Sequence, residues 1–128
     1  MTTGGCHCGC IFFEVQIPKE IHVQLCNCSI CSMVGFLHLI VPAGQFRLLR
    51  GRDDLTEYRF NSGSARHLFC SNCGIKSFYV PRSNPDGFSI NLRCLRVPPE
   101  VKVIEEHFDG RNWEQNADTL RHFSRIDS

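Results

Sequence analysis

A mainly β domain is the fold class that the sequence predicts, and three observations lead to it. The chain has 128 residues, of which 42% are hydrophobic, so it can bury the core of one domain. Turn-forming glycines, prolines and asparagines recur along its whole length. Between these turns lie short runs rich in Val, Ile, Phe and Tyr, and this spacing is typical of strands.

Eight of these runs are predicted to form strands. They are residues 10–17, 22–26, 35–41, 45–50, 56–61, 75–80, 88–92 and 101–106. No linker divides the runs into two groups, so we expect a single domain over residues 3–128.

One segment near the C-terminus has a different pattern. Trp113, Ala117, Leu120 and Phe123 follow one another at spacings of four, three and three residues. This spacing places them on one face of a short amphipathic helix over residues 112–123. Trp113 and Phe123 are interpreted as that helix face rather than as a binding platform.

The composition excludes several classes of protein. Fourteen basic and thirteen acidic residues leave a formal charge of +1, whereas a protein held by phosphate contacts is much more basic. The longest apolar runs, such as residues 36–41, are far shorter than the roughly 20 residues of a membrane-spanning helix. Residues 1–6 lack the basic and apolar segments of a secretory leader, so we expect a cytoplasmic or nuclear protein.

Cysteine is the unusual residue type, with nine in 128 residues. In a reducing compartment such a density indicates metal binding rather than disulfides. Seven of the nine fall in three clusters. They read GCHCG at residues 5–9, CNCSIC at 26–31 and FCSNCG at 69–74.

The first and third clusters together supply four thiolates. Cys70 and Cys73 are separated by two residues and followed by Gly74, as in a metal-binding turn. Cys6 and Cys8 lie two apart on extended chain and so point to the same side. Four cysteines form a closed tetrahedral zinc site, which stabilises a fold and performs no chemistry. The alternative is a set of buried thiols without a metal.

The second cluster has three thiolates, Cys26, Cys28 and Cys31, and no obvious fourth ligand. Three protein ligands and one exchangeable position are typical of a catalytic zinc. Three thiolates weaken the zinc as a Lewis acid, which favours the binding of an incoming thiol as its thiolate. Two alternatives stay open: a second structural site completed by a histidine or Cys94, and a redox-labile thiol cluster.

The remaining cysteines and histidines carry less information. Cys10 and Cys94 are interpreted as small core residues. His7 lies between two ligands and is expected to point away from the ion. His38 lies in an apolar strand and is a candidate fourth ligand or proton carrier, although a hydrogen-bonded core histidine is the commoner case. The other four histidines show no pattern of their own.

These clusters, together with SFYVPRSNP at residues 77–85, resemble the glutathione-dependent formaldehyde-activating enzyme (GFA) family. Within that family the chain is most similar to the domain of centromere protein V. The resemblance begins at TGGCHCG, residues 3–9, and extends to about Trp113 and Glu114. The three cysteine clusters in this order make it specific.

The resemblance implies a fold, two metals and an activity. The fold is Mss4-like, with small coiled antiparallel sheets organised round a structural zinc. Two zinc ions per chain are implied, a structural one and a catalytic one. The structural ligands are Cys6, Cys8, Cys70 and Cys73, and the catalytic ligands are Cys26, Cys28 and Cys31. The implied activity is the condensation of glutathione with formaldehyde to S-hydroxymethylglutathione, which is classed as a carbon–sulfur lyase in reverse.

Two functions follow as hypotheses. The first is a zinc-dependent, carbon–sulfur lyase-type enzyme that joins glutathione, or a related thiol, to formaldehyde or another small aldehyde. His38 is its candidate proton carrier, and the arginines that could hold the glutathione carboxylates are Arg47, Arg66, Arg82 and Arg93. The second is a zinc-stabilised, non-catalytic protein-binding module with a chromatin- or cytoskeleton-linked role, in which the loop at residues 84–87 contacts a partner. Direct contact with nucleic acid and membrane is not expected.

Overall fold

The computed structural model describes residues 1–60, 65–112 and 116–124. In this part of the chain, ten strands form three small sheets and one α-helix lies between the third and fourth strands. The helix α1 is Ser29–Val34. The strands are β1 (Thr2–Gly5), β2 (Phe12–Val15), β3 (Glu20–Cys26), β4 (Leu37–Pro42), β5 (Phe46–Arg50), β6 (Leu55–Tyr58), β7 (His67–Cys70), β8 (Phe78–Tyr79), β9 (Gly87–Asn91) and β10 (Lys102–Phe108).

The largest sheet has five strands in the order β10-β3-β4-β9-β8. A second sheet has the order β1-β2-β5, and β6 pairs with β7 alone. All but one of these pairings are antiparallel. The mainly β class and the small antiparallel sheets are confirmed.

The pairing of β10 with β3 departs from the antiparallel expectation because it is parallel. Its register runs from Lys102 opposite Glu20 to Phe108 opposite Cys26. Parallel neighbours end at the same edge of a sheet. The chain that follows Phe108 therefore lies next to the second cysteine cluster.

The core lies between the two larger sheets. Phe13 is fully buried, and its ring centroid lies 5.1 Å from that of Phe46 and 5.8 Å from that of Phe78. Phe46 in turn lies 4.5 Å from Phe88. Because two of these rings come from each sheet, they join the sheets through tilted and edge-to-face contacts.

The predicted strands overlap observed ones, and apart from four short 3₁₀ helices three elements of the described chain were not predicted. These are β1, β7 and α1, all of them short. Within the predicted C-terminal helix, Ala117–Ser124 has the tighter winding of a 3₁₀ helix, and residues 113–115 lie outside the described residues. Ala117 and Leu120 are buried in it as expected, while Trp113 and Asn61 lie outside the described residues. Among the helices described, none has the length and apolar character to cross a membrane.

Candidate metal centres and a shared cavity

The first candidate centre is formed by Cys6, Cys8, Cys70 and Cys73. Their four sulfurs lie within 4.8 Å of one another. The Sγ of Cys8 lies 3.6 Å from those of both Cys6 and Cys70. Tetrahedral zinc with Zn–S bonds of about 2.3 Å places its sulfurs roughly 3.8 Å apart, so this cluster has the dimensions of a zinc site.

Two similar turns supply these cysteines. In each turn the first cysteine donates its N–H to the carbonyl oxygen five residues later, from Cys6 to Ile11 at 3.1 Å and from Cys70 to Ile75 at 3.0 Å. Gly9 and Gly74 each directly follow the second cysteine of their turn, with φ of 83° and 76°. Glycine adopts this left-handed conformation at little cost, which explains the glycine after each cysteine pair.

Backbone N–H groups in these turns point at sulfur. Ile11 donates to the Sγ of Cys6 at 3.3 Å, and Asn72 donates to the Sγ of Cys70 at 3.4 Å. Hydrogen bonds of this kind favour the thiolate that a metal requires. A hydrogen bond from the Asn72 side chain lowers the pKa of the Cys8 thiol to about 5, whereas burial raises the pKa of Cys6 to about 11.

The second candidate centre contains Cys26, Cys28 and Cys31, whose sulfurs also lie within 4.8 Å of one another. Cys26 ends β3, Cys28 caps α1, and Cys31 is buried in the first turn of that helix. Hydrogen bonds from Cys26 and Cys31 lower the pKa of the Cys28 thiol to about 2. The same contacts raise the pKa of Cys31. The three thiols therefore share protons through these hydrogen bonds, and a bound cation would displace those protons.

No fourth histidine, cysteine or carboxylate joins this cluster in the part of the chain that the structure describes. Cys94 is not part of this group, and its carbonyl oxygen lies against Gly4. The cluster therefore offers three thiols that could hold a metal ion. The alternative of a site completed by Cys94 finds no support in this geometry.

The chain after β10 holds the loop that carries Cys26 and Cys28 through hydrogen bonds and close packing. Asn27 donates its N–H to the carbonyl oxygen of Phe108 at 3.3 Å and accepts the N–H of Arg111 at its side-chain oxygen at 3.0 Å. A Cβ on Gly110 would overlap the Sγ of Cys26 and lie 2.9 Å from the Cβ of Cys28. Only glycine fits at this contact.

A cavity of about 410 Å³ is lined by all three cysteines of the second cluster. The rest of its wall mixes apolar and polar side chains, as small-molecule sites do. The apolar part includes Ile40, Phe60, Phe108 and Leu120, and the polar part includes Gln24, His38, His67, Tyr79, Arg82 and Arg111.

His38 is the predicted site residue that the structure places in this wall. Its side chain is almost fully buried, and its Nδ1 lies 3.0 Å from the Oγ of Ser89 and 3.2 Å from the Oη of Tyr79. Its Nε2 has no hydrogen-bond partner among the described residues. Burial lowers the pKa of His38 to about 3, so the imidazole is uncharged at neutral pH.

Two residues of this region, Lys76 and His67, were not predicted as site residues from the sequence. Lys76 is buried, and its Nζ lies 2.7 Å from the Nδ1 of His67 and 3.9 Å from the ring centroid of Tyr79. Burial lowers the pKa of Lys76 to about 8 and that of His67 to about 4. A lysine inside a predicted strand is normally read as an exposed residue, which is why the pair was not predicted.

Of the four arginines proposed as carboxylate ligands, only Arg82 lines the cavity. Arg47 is exposed on β5 in another sheet, Arg66 forms an ion pair with Glu57 at 2.7 Å, and the Nε of Arg93 donates to the carbonyl oxygen of Gly35 at 3.3 Å. A fifth arginine, Arg111, lines the cavity and was not predicted.

The loop at residues 84–87 is half buried. Asn84 is fully buried, and its amide donates to the carbonyl oxygen of Leu120 at 2.9 Å and to the Oγ of Ser124 at 2.7 Å. Of the four loop residues, Pro85 and Asp86 are exposed. The buried part of the loop holds the C-terminal 3₁₀ helix, and contact of its exposed part with a partner stays a prediction.

Comparisons with known proteins agree with these features. A family model described as "Glutathione-dependent formaldehyde-activating enzyme" matches residues 1–111. The crystal structure of a Rhodobacter sphaeroides protein is 32% identical in sequence and superimposes with a TM-score of 0.68. That match covers 81% of this chain and 99% of the other.

Proposed function

Because this chain belongs to the glutathione-dependent formaldehyde-activating enzyme family, we propose that it joins a glutathione-type thiol to formaldehyde or another small aldehyde. The observation that carries the proposal is a three-cysteine cluster, without a fourth protein ligand among the described residues, in the wall of a cavity of about 410 Å³. The reverse reaction is that of a carbon–sulfur lyase.

Two zinc ions per chain are part of this proposal. Cys6, Cys8, Cys70 and Cys73 would hold the structural ion, and Cys26, Cys28 and Cys31 would hold the catalytic one. The catalytic zinc, when bound, supplies a positive charge that favours the thiolate form of a substrate thiol. Sulfur then forms a bond to the carbonyl carbon, and the carbonyl π electrons move to oxygen, which takes up a proton.

The protein's own side chains bind and orient the reactants. Arg82 and Arg111 place two guanidinium groups in the cavity wall, where they suit the carboxylates of a glutathione-type thiol. Apolar residues, among them Phe60 and Phe108, exclude water from the rest of the wall. Holding both reactants in one pocket replaces an encounter in solution by a reaction within a complex.

His38 is the proposed hydrogen-bond partner of the aldehyde oxygen. Its unpartnered Nε2 is the buried polar atom in the cavity wall that requires a ligand. As a neutral imidazole it acts through an N–H group or lone pair rather than as an imidazolium acid. Ser89 and Tyr79 hold the ring from the opposite nitrogen.

The test is the exchange between formaldehyde, glutathione and their adduct, followed by NMR with zinc-loaded protein. We expect the wild-type protein to accelerate exchange and C28S to lose this acceleration. C94S is the matched control, since Cys94 is a half-buried thiol outside both clusters, and it keeps the wild-type rate. Exchange at the spontaneous rate in the presence of fully loaded wild-type protein would contradict the proposal.

A further inference from the structure

Lys76 and His67 form a buried pair that the proposed function does not use. Lys76 is 8% exposed, His67 is 5% exposed, and 2.7 Å separates Nζ from Nδ1. An ammonium group has protons to donate and no lone pair to offer. Nδ1 of His67 must therefore be the acceptor, and the ring proton of the neutral imidazole is on Nε2.

The His67 ring is held in a fixed orientation. It stacks on Tyr79 with a centroid distance of 5.0 Å and an interplanar angle of 14°, and on Phe60 with 5.4 Å and 23°. The ring forms part of the cavity wall that also contains the three-cysteine cluster. With Nδ1 occupied by Lys76, the remaining N–H is the group that this ring can offer to a ligand.

We propose that Lys76 and His67 form a proton relay that ends in the cavity, with His67 as a catalytic residue and Lys76 as its proton source. The inference rests on the proposed function, which creates an alkoxide there. His67 gives its Nε2 proton to the alkoxide oxygen and takes a proton from Lys76 at Nδ1. The products are the neutral hydroxyl adduct, His67 as its neutral Nδ1–H tautomer and the neutral amine of Lys76. After the adduct leaves, Nε2 of His67 takes up a proton from solvent and the Nδ1 proton returns to Lys76, which restores the starting state.

The surroundings of Lys76 suit this role. Burial lowers its pKa to about 8, which makes it a far better acid near neutral pH than an exposed lysine. The titratable groups that act on it are His67 on β7, His38 on β4, Tyr79 on β8, and Cys28 and Cys31 at α1. His38 has no such source, because its Nδ1 faces only the hydroxyls of Ser89 and Tyr79.

The first test reads the ring protons directly by ¹⁵N NMR of the imidazoles in the zinc-loaded protein. We expect His67 in the Nε2–H form, with a signal that shifts in K76M because Nδ1 loses its donor. K76R retains a charged donor and is expected to keep the Nε2–H form. Detection of the Nδ1–H form, or a His67 signal that is the same in K76M, would overturn the relay whether or not the protein is active.

The second test measures kcat and KM for adduct formation. H67F keeps the stacked ring and removes the N–H, so we expect kcat to fall about 100-fold with little change in KM. K76M should fall similarly. H67Q places an amide N–H near the position of Nε2 but cannot give up that proton, so its kcat should stay as low as that of H67F. H107F on exposed β10 is the matched control and should keep the wild-type kcat.

K76R separates proton supply from orientation. Arginine holds the same tautomer of His67 but does not give up a proton near neutral pH. We expect K76R to keep the NMR signature and to have the low kcat of K76M. Wild-type kcat in K76R, or in both H67F and K76M, would overturn the relay. An inactive wild-type protein would contradict the proposed function, and the imidazole signals would still decide on the pair.

Discussion

At the scale of single residues, the cavity is notable for ionisable groups that are kept away from water. His38, His67, Lys76 and Tyr79 are all buried, and burial is the largest cause of each pKa shift. Burial favours the uncharged form of each group. Of these four groups, His38, His67 and Tyr79 are uncharged hydrogen-bonding groups in the cavity wall. The fourth, Lys76, is a buried cation paired with His67, and its proton is held less tightly than usual.

This burial gives a pH dependence that can be measured. In the unfolded chain His38 binds a proton below about pH 6.5, whereas in the folded chain it does so only near pH 3. The unfolded state thus binds more protons between these values, and the contribution of neutral His38 to stability is lost as the pH falls through this window. The slope is about 1.4 kcal/mol per pH unit for one such group.

We therefore expect the free energy of unfolding of the wild type, relative to that of H38F, to decrease by up to about 2 kcal/mol between pH 6.5 and pH 5. Denaturant unfolding of both proteins in the same zinc-loaded state measures this difference. The comparison cancels the loss of metal in acid, which affects both proteins alike. Parallel curves for the two proteins would show that His38 is not buried in its neutral form.

Gly110 provides a prediction about the second cysteine cluster. In G110A the new Cβ would lie 2.9 Å from the Cβ of Cys28 and 3.2 Å from its backbone nitrogen, so the loop must shift. We expect the variant to retain about one zinc per chain where the wild type retains two, and to lose the thiol–aldehyde activity. G44A is the control, because no atom lies within 4 Å of a Cβ at that position. Two tightly bound zincs in G110A would contradict the proposed packing.

At the scale of elements, the strands were largely predictable and the links between them were not. Segments such as 45–50 and 88–92 mostly alternate hydrophobic with polar residues and are bounded by turns. Local sequence is therefore enough to predict that they form strands. The parallel pairing of β10 with β3 depends on residues some 80 positions apart and has no local signature. The residues that it positions, Gly110 and Arg111, could not be predicted for the same reason.

The two candidate metal centres could be predicted from the sequence, whereas the cavity could not. Cysteine spacing is a local feature, so all seven cysteines of the candidate centres could be named from the sequence, and the structure brings them together in two clusters. The Lys76–His67 pair needs β7, which is four residues long, to lie beside the chain before β8. Contacts between short elements of this kind are determined by the whole fold.

The C-terminal 3₁₀ helix shows how a side chain can decide an element's shape. The amide of Asn84 donates to the carbonyl oxygens of Leu120 and Arg121, which a continuing α-helix would use for residues 124 and 125. The amide also donates to Ser124, whose hydroxyl donates to Asp86 at 2.6 Å. These contacts hold Leu120 in the cavity wall.

We expect N84A to reduce the free energy of unfolding by about 2–3 kcal/mol, because buried carbonyl groups lose their donor. Hydrogen exchange of the amides of Ala117–Ser124 should become faster than in the wild type. P85A, at the exposed neighbouring position, serves as the control and should change stability by less than about 0.5 kcal/mol. Unchanged exchange in Ala117–Ser124 would show that Asn84 does not anchor the segment.

At the scale of the whole molecule, the two cysteine clusters differ in how far apart in sequence the segments they bring together are. The four-cysteine cluster joins the N-terminal turn to the chain after β7, so it ties together segments 62 residues apart in sequence. The three-cysteine cluster draws its sulfurs from one stretch, Cys26 to Cys31. A metal that connects distant segments contributes to folding directly, whereas one held by a local loop contributes less.

This difference predicts opposite results for two single substitutions. C73S removes a ligand of the four-cysteine centre and should lower the free energy of unfolding by at least about 3 kcal/mol, since metal binding there is folding energy. C31S removes a ligand of the three-cysteine centre and should retain most of the stability and one zinc while losing activity. Zinc content, thermal unfolding and adduct exchange measured on the same preparations distinguish the two.

A further consequence follows from β7, because this strand connects the two sites. His67 at its start lines the cavity, and Cys70 at its end belongs to the four-cysteine cluster. C73S should therefore also disturb the His67 imidazole signal, whereas C31S should leave the Nε2–H form intact. Equal losses of stability in C73S and C31S would show that both clusters are structural. That result would contradict the distinction drawn between them.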